Sequence, residues 1–128
     1  GVELLEDNVE RCRERLLEIY LDWYNSVSQG QQNEQLFKCV KFVLSKNIVH
    51  GDALTLKTVG DIEESIVFSE WSFTQNMVKR RGFSFDELLK NEGIRETPLF
   101  SDLGDDVFLP RTIEEFPMVH YLELADNV

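Results

Sequence analysis

Four side chains in this sequence have the chemistry to hold zinc: Cys12, Cys39, His50 and His120. A zinc site needs such donors at close, defined spacing, and these stand singly along the chain. Cys12 falls inside an apolar helical stripe and Cys39 flanks another, so both are expected as core thiols. Asp102, Asp105 and Asp106 form a separate cluster in the stretch Asp102-Leu103-Gly104-Asp105-Asp106. An EF-hand loop would need acids at alternate positions and a Glu twelve along. That pattern is absent, and a solvated acidic turn is the simpler expectation over weak Mg²⁺ or Ca²⁺ binding.

His50 and Asp52 sit in a turn-like segment and supply half of a nucleophile–base–orienter set. No glycine-flanked serine elbow completes it. The adjacent pairs Glu63-Glu64, Asp105-Asp106 and Glu114-Glu115 do not make shared acid–base sites, because neighbours on a helix point about 100° apart. No Gly-rich phosphate loop or dinucleotide fingerprint occurs. Lys79-Arg80-Arg81 is the one basic run. At the end of a helix it would complement the macrodipole, and nucleic-acid contact by it alone would be weak and salt-sensitive.

Aromatic residues point towards protein contact. Nine Phe, three Tyr and two Trp exceed what one small core layer needs. Phe68 lies off both stripes of its expected helix, Tyr24 lies at the edge of another, and Trp71 belongs to a second stripe. Exposed aromatics beside acidic loops give an interface with anchors at the centre and charge at the rim. Tyr24, Phe68, Trp71, Asp102, Asp105 and Asp106 are therefore the expected partner-binding residues.

The elements that would position them follow from periodicity. Residues 2–28 read as one helix with Leu5, Val9, Cys12, Leu16, Ile19, Tyr20, Trp23 and Val27 on one face. Leu17, Leu21 and Tyr24 widen that stripe. Gly30 is placed to terminate it. Asn33 caps a second helix over 34–46, and the short connection favours an antiparallel hairpin. Residues 47–60 fit a small hairpin or a loop.

Asp61 and Glu64 have capping-box spacing and open a third helix over 61–81. Ile62, Ile66, Phe73 and Met77 form one stripe of it; Val67, Trp71 and Val78 form another nearly opposite. Ser84, Glu87 and the Phe83–Leu88 staple start a fourth helix over 85–92. From Ile94 on, Pro and Gly break the pattern, with one helical turn expected near Thr112–Glu115. The expected fold is mostly α: a compact domain of four main helices with an irregular C-terminal third. An α+β domain with a small sheet from 48–59 and 118–124 is the alternative.

The 128 residues suit a single domain, 1–128. They have 42% hydrophobic residues and a net charge of −11, which fit a packed acidic globule. Residues 1–81 carry 13 acids and 10 bases, and residues 82–128 carry 11 acids and 3 bases, so the acidity concentrates near the C-terminus. Net negative charge disfavours nucleic acid and anionic membrane. Long apolar runs are absent, the acidic start is unlike a secretory leader, and two cysteines make no disulfide framework. A cytoplasmic setting is expected, with no cofactor.

The expected function is a non-catalytic acidic protein-binding module, such as an inhibitor, an immunity-like or antitoxin-like protein or an adaptor, with a basic protein partner. One alternative is a small metal-dependent hydrolase using His50 and the acidic 102–106 loop. The other is an oligomerising structural domain of a larger protein, a homo-oligomer pairing through the second stripe of the 61–81 helix.

Overall fold

A computed structural model describes residues 1–29, 31, 33–89 and 111–126. The chain runs β1 (Val2–Glu3), α1 (Glu6–Ser28), α2 (Glu34–Asn47), β2 (Val49–Asp52), β3 (Lys57–Thr58), β4 (Val67–Thr74) and β5 (Met77–Ser84). Residues 85–89 are helical. After the undescribed stretch come β6 (Thr112–Glu115), β7 (Val119–His120) and a 3₁₀ turn (Tyr121–Glu123). The fold is α+β, which corrects the expectation of a mostly α, four-helix domain.

The main correction falls on residues 61–81. They contain β4 and open β5, which pair antiparallel in register from Val67↔Ser84 to Thr74↔Met77. Val67, Ser69, Trp71 and Phe73 alternate with Phe68, Glu70, Ser72 and Thr74, and the stretch is rich in aromatic residues, as a pleated surface favours. The turn passes through Gln75, whose φ of 57° lies in the left-handed region. The capping-box pair Asp61 and Glu64 starts no helix: the Glu64 amide instead donates to the Thr58 hydroxyl oxygen at 3.0 Å. With this helix goes the oligomer interface expected on its second stripe.

Two sheets result. β1 pairs parallel with β2, and β2 pairs antiparallel with β3. In the larger sheet β5 is flanked by β4 and by β6, with β7 also on β5. The α+β alternative placed strands in 48–59 and 118–124, and both regions hold strands. They do not pair with each other: β2–β3 belong to one sheet and β7 to the other. Thr112–Glu115 is strand β6, not a helical turn.

The first two helices stand close to their expected bounds. α1 begins at Glu6 because Val2 and Glu3 are drawn into the parallel pairing with Val49 and His50. It ends through Gln29, at φ 56°; Gly30 lies outside the described residues. Asn33 caps α2, its Oδ1 accepting from the Leu36 amide at 3.0 Å. Ser84 starts the helix at 85, with its Oγ accepting from the Glu87 amide at 3.4 Å; the rest of the expected 85–92 span lies beyond the described residues.

The core sits where α2 meets the larger sheet. Cys39, Val78 and Leu124 are buried together, with Phe42, Val43, Trp71, Val119 and Tyr121 packed around them. Asn47 fastens the two layers: the Trp71 Nε1–H donates to its Oδ1 at 3.0 Å, and its own Nδ2 donates to the Ser69 carbonyl at 2.9 Å. Gln35 Nε2 donates to the Leu122 carbonyl at 2.7 Å and holds the C-terminal turn against α2. Arg13 joins α1 to the start of β2, donating through Nε and Nη2 to the Ile48 carbonyl at 3.1 and 2.6 Å. No described helix is long and apolar enough to cross a membrane.

Candidate functional site

Helix α1 has more apolar surface than its neighbours cover. At 100° per residue its apolar residues span an arc of about 200°, from Ile19 round to Leu21. One half of the arc faces α2: Leu17, Tyr20, Leu21 and Tyr24 are all partly buried. The other half is a ridge open to solvent. Leu16 is 39% exposed, Ile19 62%, Trp23 60% and Val27 57%. Cys12 continues the same ridge and is exposed, not a core thiol as expected. Towards the N-terminus the ridge is closed by Val9, which is 2% exposed. Cys39 is buried as expected.

A groove of about 490 Å³ lies beside this ridge, between α1 and α2. Tyr20, Leu21 and Tyr24 line one wall, and Phe37, Lys38 and Lys41 line the other. The Tyr20 and Tyr24 rings stack at 5.7 Å with 27° between planes. Burial pushes the Tyr20 hydroxyl above its ordinary pKa, with Tyr24 and Cys39 adding to the shift. Lys41 Nζ sits 5.6 Å from the centre of the Phe37 ring, a cation–π contact of modest strength at an exposed site. Ridge and groove together make a continuous apolar and aromatic strip along α1.

The residues expected to bind a partner are not gathered in one place. Tyr24 lines the groove. Trp71 packs on the core cluster, edge-on to Phe42 at 6.1 Å, with its indole N–H committed to Asn47. Phe68 is half-buried and meets the Phe85 ring edge-on at 5.2 Å. Asp102, Asp105 and Asp106 lie outside the described residues.

Three of the groups considered for catalysis or metal binding, His50, Asp52 and His120, hold local structure. His50 Nε2 donates to the Leu4 carbonyl at 2.9 Å and ties β2 to the start of α1. Asp52 Oδ1 accepts from the Leu54 amide at 2.8 Å, an Asx turn. His120 Nδ1 accepts from the Leu122 amide at 3.2 Å and caps the 3₁₀ turn. Among the described residues, no three His, Cys, Asp or Glu side chains come together to hold a metal ion.

Lys79, Arg80 and Arg81 lie within strand β5, so the expectation that they complement a helix C-terminus is corrected. Arg80 faces inward. Its guanidinium lies 4.0 Å from the centre of the Phe116 ring, 5.5 Å from Trp71 and 5.6 Å from Phe42. Its Nε donates to the Ser69 hydroxyl at 2.8 Å. Burial lowers its pKa, opposed by the charge of Glu114. Arg81 forms a loose, half-exposed pair with Glu70 at 3.9 Å.

Sequence reasoning missed Leu16, Ile19, Trp23 and Val27 as surface residues, because it placed them in the core-facing stripe. The available signal was the width of the arc. A helix packing on one neighbour needs an apolar stripe of roughly 100°, and this one has about twice that. Comparison with protein-family models, curated proteins and solved structures gives no match, so function is read from the chain's own surface chemistry.

Proposed function

We propose that this chain is a non-catalytic protein-binding module, of the inhibitor, immunity-like, antitoxin-like or adaptor kind, and that α1 is its docking element. The observation that carries this reading is the uncovered ridge on α1, above all Ile19 and Trp23 at 62% and 60% exposure. Large aliphatic and indole side chains exposed in a row on one helix mark a protein-contact surface. Trp is also among the residues that most often dominate binding energy.

Charge supports a basic protein partner. The chain carries −11 overall. Within α1 itself, Glu6, Asp7, Glu10, Glu14, Glu18 and Asp22 outnumber Arg11, Arg13 and Arg15. Such a field speeds encounter with a positively charged protein and discourages nucleic acid. The ridge would then supply the desolvated contact and the acidic flank the steering.

The test is affinity capture from native extract with the wild-type chain and with the double variant Ile19→Ala, Trp23→Ala. The variant should fold with nearly wild-type thermal stability and lose its partner by about tenfold or more. Capture of the wild-type partner should weaken as salt rises. Equal capture by both proteins would remove α1 from the interface and overturn this reading.

A further inference from the structure

We infer that the α1 ridge is covered by the same ridge of a second copy of this chain, with the two helices antiparallel. The inference rests on the reading of α1 as a protein-docking face and adds a second occupant: the second copy covers the ridge when no basic partner does, so the two compete for it. Cys12, Leu16, Ile19 and Trp23 follow one another at spacings of four, three and four, the repeat that seats knobs into holes between two helices. From Cys12 to Val27 the ridge is about 23 Å long. Its exposed side chains present roughly 400 Å² of apolar surface, at the upper end of what a monomer leaves open. Burying the ridges of two copies with their charged flanks reaches about 1,000 Å², the threshold for a specific but modest interface.

Charge sets the direction. Arg15 and Asp22 occupy equivalent positions on one flank of the ridge, seven residues apart. With the helices antiparallel and Leu16 opposite the partner's Ile19, Cys12 falls opposite the partner's Trp23, a small side chain facing a large one. The same register sets Arg15 beside the partner's Asp22, and two-fold symmetry repeats the pair. With the helices parallel, Arg15 would meet Tyr20 and Asp22 would meet Val27, so neither charge would be matched. Arg15 is free to make the change: its contact with Glu18 is 3.8 Å long and both side chains are largely exposed, 78% and 65%, so giving it up costs little.

Net charge gives the association an unusual salt dependence. Two copies each carrying −11 repel at long range, and salt screens that repulsion. Dimerisation through the ridge therefore tightens as salt rises. Binding of a basic partner has the opposite sign.

Sedimentation equilibrium of the full chain, from about 5 to 500 µM at low and at moderate salt, tests this over the range of a modest interface. The expected result is a rise from monomer to dimer mass that shifts to lower concentration with added salt. Ile19→Asp should stay monomeric throughout while keeping its thermal midpoint. Asp22→Arg should weaken the dimer by about tenfold, and adding Arg15→Asp to it should restore most of the loss. A monomer at every concentration, or a dimer untouched by Ile19→Asp, overturns the inference. So does an Asp22→Arg defect that Arg15→Asp does not repair. If the chain stays monomeric and the ridge variants still lose a captured protein, the docking role of α1 stands and only the second copy is wrong.

Discussion

The β4–β5 hairpin and helix α1 each carry apolar residues on two sides, and the fold treats them differently. On one face of the hairpin, Trp71 and Val78 are covered by α2 and the C-terminal turn. On the other, Phe68 meets Phe85, and Phe83 is only 8% exposed. Among the described residues, helix α1 meets α2 and, towards its N-terminus, β1 and β2, and leaves Leu16, Ile19, Trp23 and Val27 exposed. The two tryptophans summarise the contrast in chemistry. Trp71 has its ring in the core and its N–H bonded to Asn47, whereas Trp23 stands 60% exposed. Where neighbours cover the hairpin its apolar residues are core, Phe73 near the turn being the exception at 69% exposed. An element left at the edge of the layers keeps a free face, and that face is available for binding.

The largest expected effect exploits this pair. Trp71→Ala removes a core indole, opens a cavity beside Phe42 and strips Arg80 of one aromatic neighbour, so it should cost about 3 kcal/mol or more in stability. Trp23→Ala should change stability by less than about 1 kcal/mol, because the side chain is already mostly in water, and should abolish association. Urea unfolding and sedimentation of both variants check the contrast. Comparable stability losses would mean that Trp23 is core after all.

The second prediction concerns what fixes the hairpin to α2. Asn47→Ala leaves the Trp71 N–H and the Ser69 carbonyl without the partner each has now. The expected loss is about 2 kcal/mol, the range for orphaning groups away from full solvent. Asn33→Ala, which removes the α2 cap, should cost about 1 kcal/mol. Neither residue lies on the ridge, so self-association of the folded variants should stay within a factor of two or so. A much weaker dimer would show that the ridge depends on how α2 is seated.

These contrasts also explain what could be read from the sequence. The start of α2 was legible because a cap is a local device: Asn33 needs only the Leu36 amide. The start of the helix at residue 85 was legible for the same reason, through Ser84 and Glu87. The hairpin was not, because residues 62–78 place apolar side chains that fit a 3.6-residue repeat on two opposite sides. That two-sidedness also fits a strand with apolar residues on both faces. Alternation over Val67–Thr74, with aromatic residues at Phe68, Trp71 and Phe73, carried the answer. The ridge was illegible for a different reason. Periodicity says which residues share a face and is silent on which faces find a neighbour. Cys12, Leu16, Ile19 and Trp23 were grouped as one stripe, and the fold leaves that stripe uncovered.

The smallest expected effect separates backbone from surface within the same comparison. Gln75 is exposed at the β4–β5 turn and holds φ at 57°, a region that costs a residue with a Cβ about 1 kcal/mol or more. Gln75→Gly relieves that cost but gives the unfolded chain more freedom to lose. The net gain should be only about 0.5 kcal/mol. Because Gln75 contributes nothing to the ridge, the variant should raise the unfolding midpoint slightly while leaving the dimer's dissociation constant unchanged. A gain in stability with unaltered association would show that the hairpin supports the fold and α1 carries the binding. A shift in both would mean that covered and uncovered faces are coupled through α2, and the division between them would have to be drawn elsewhere.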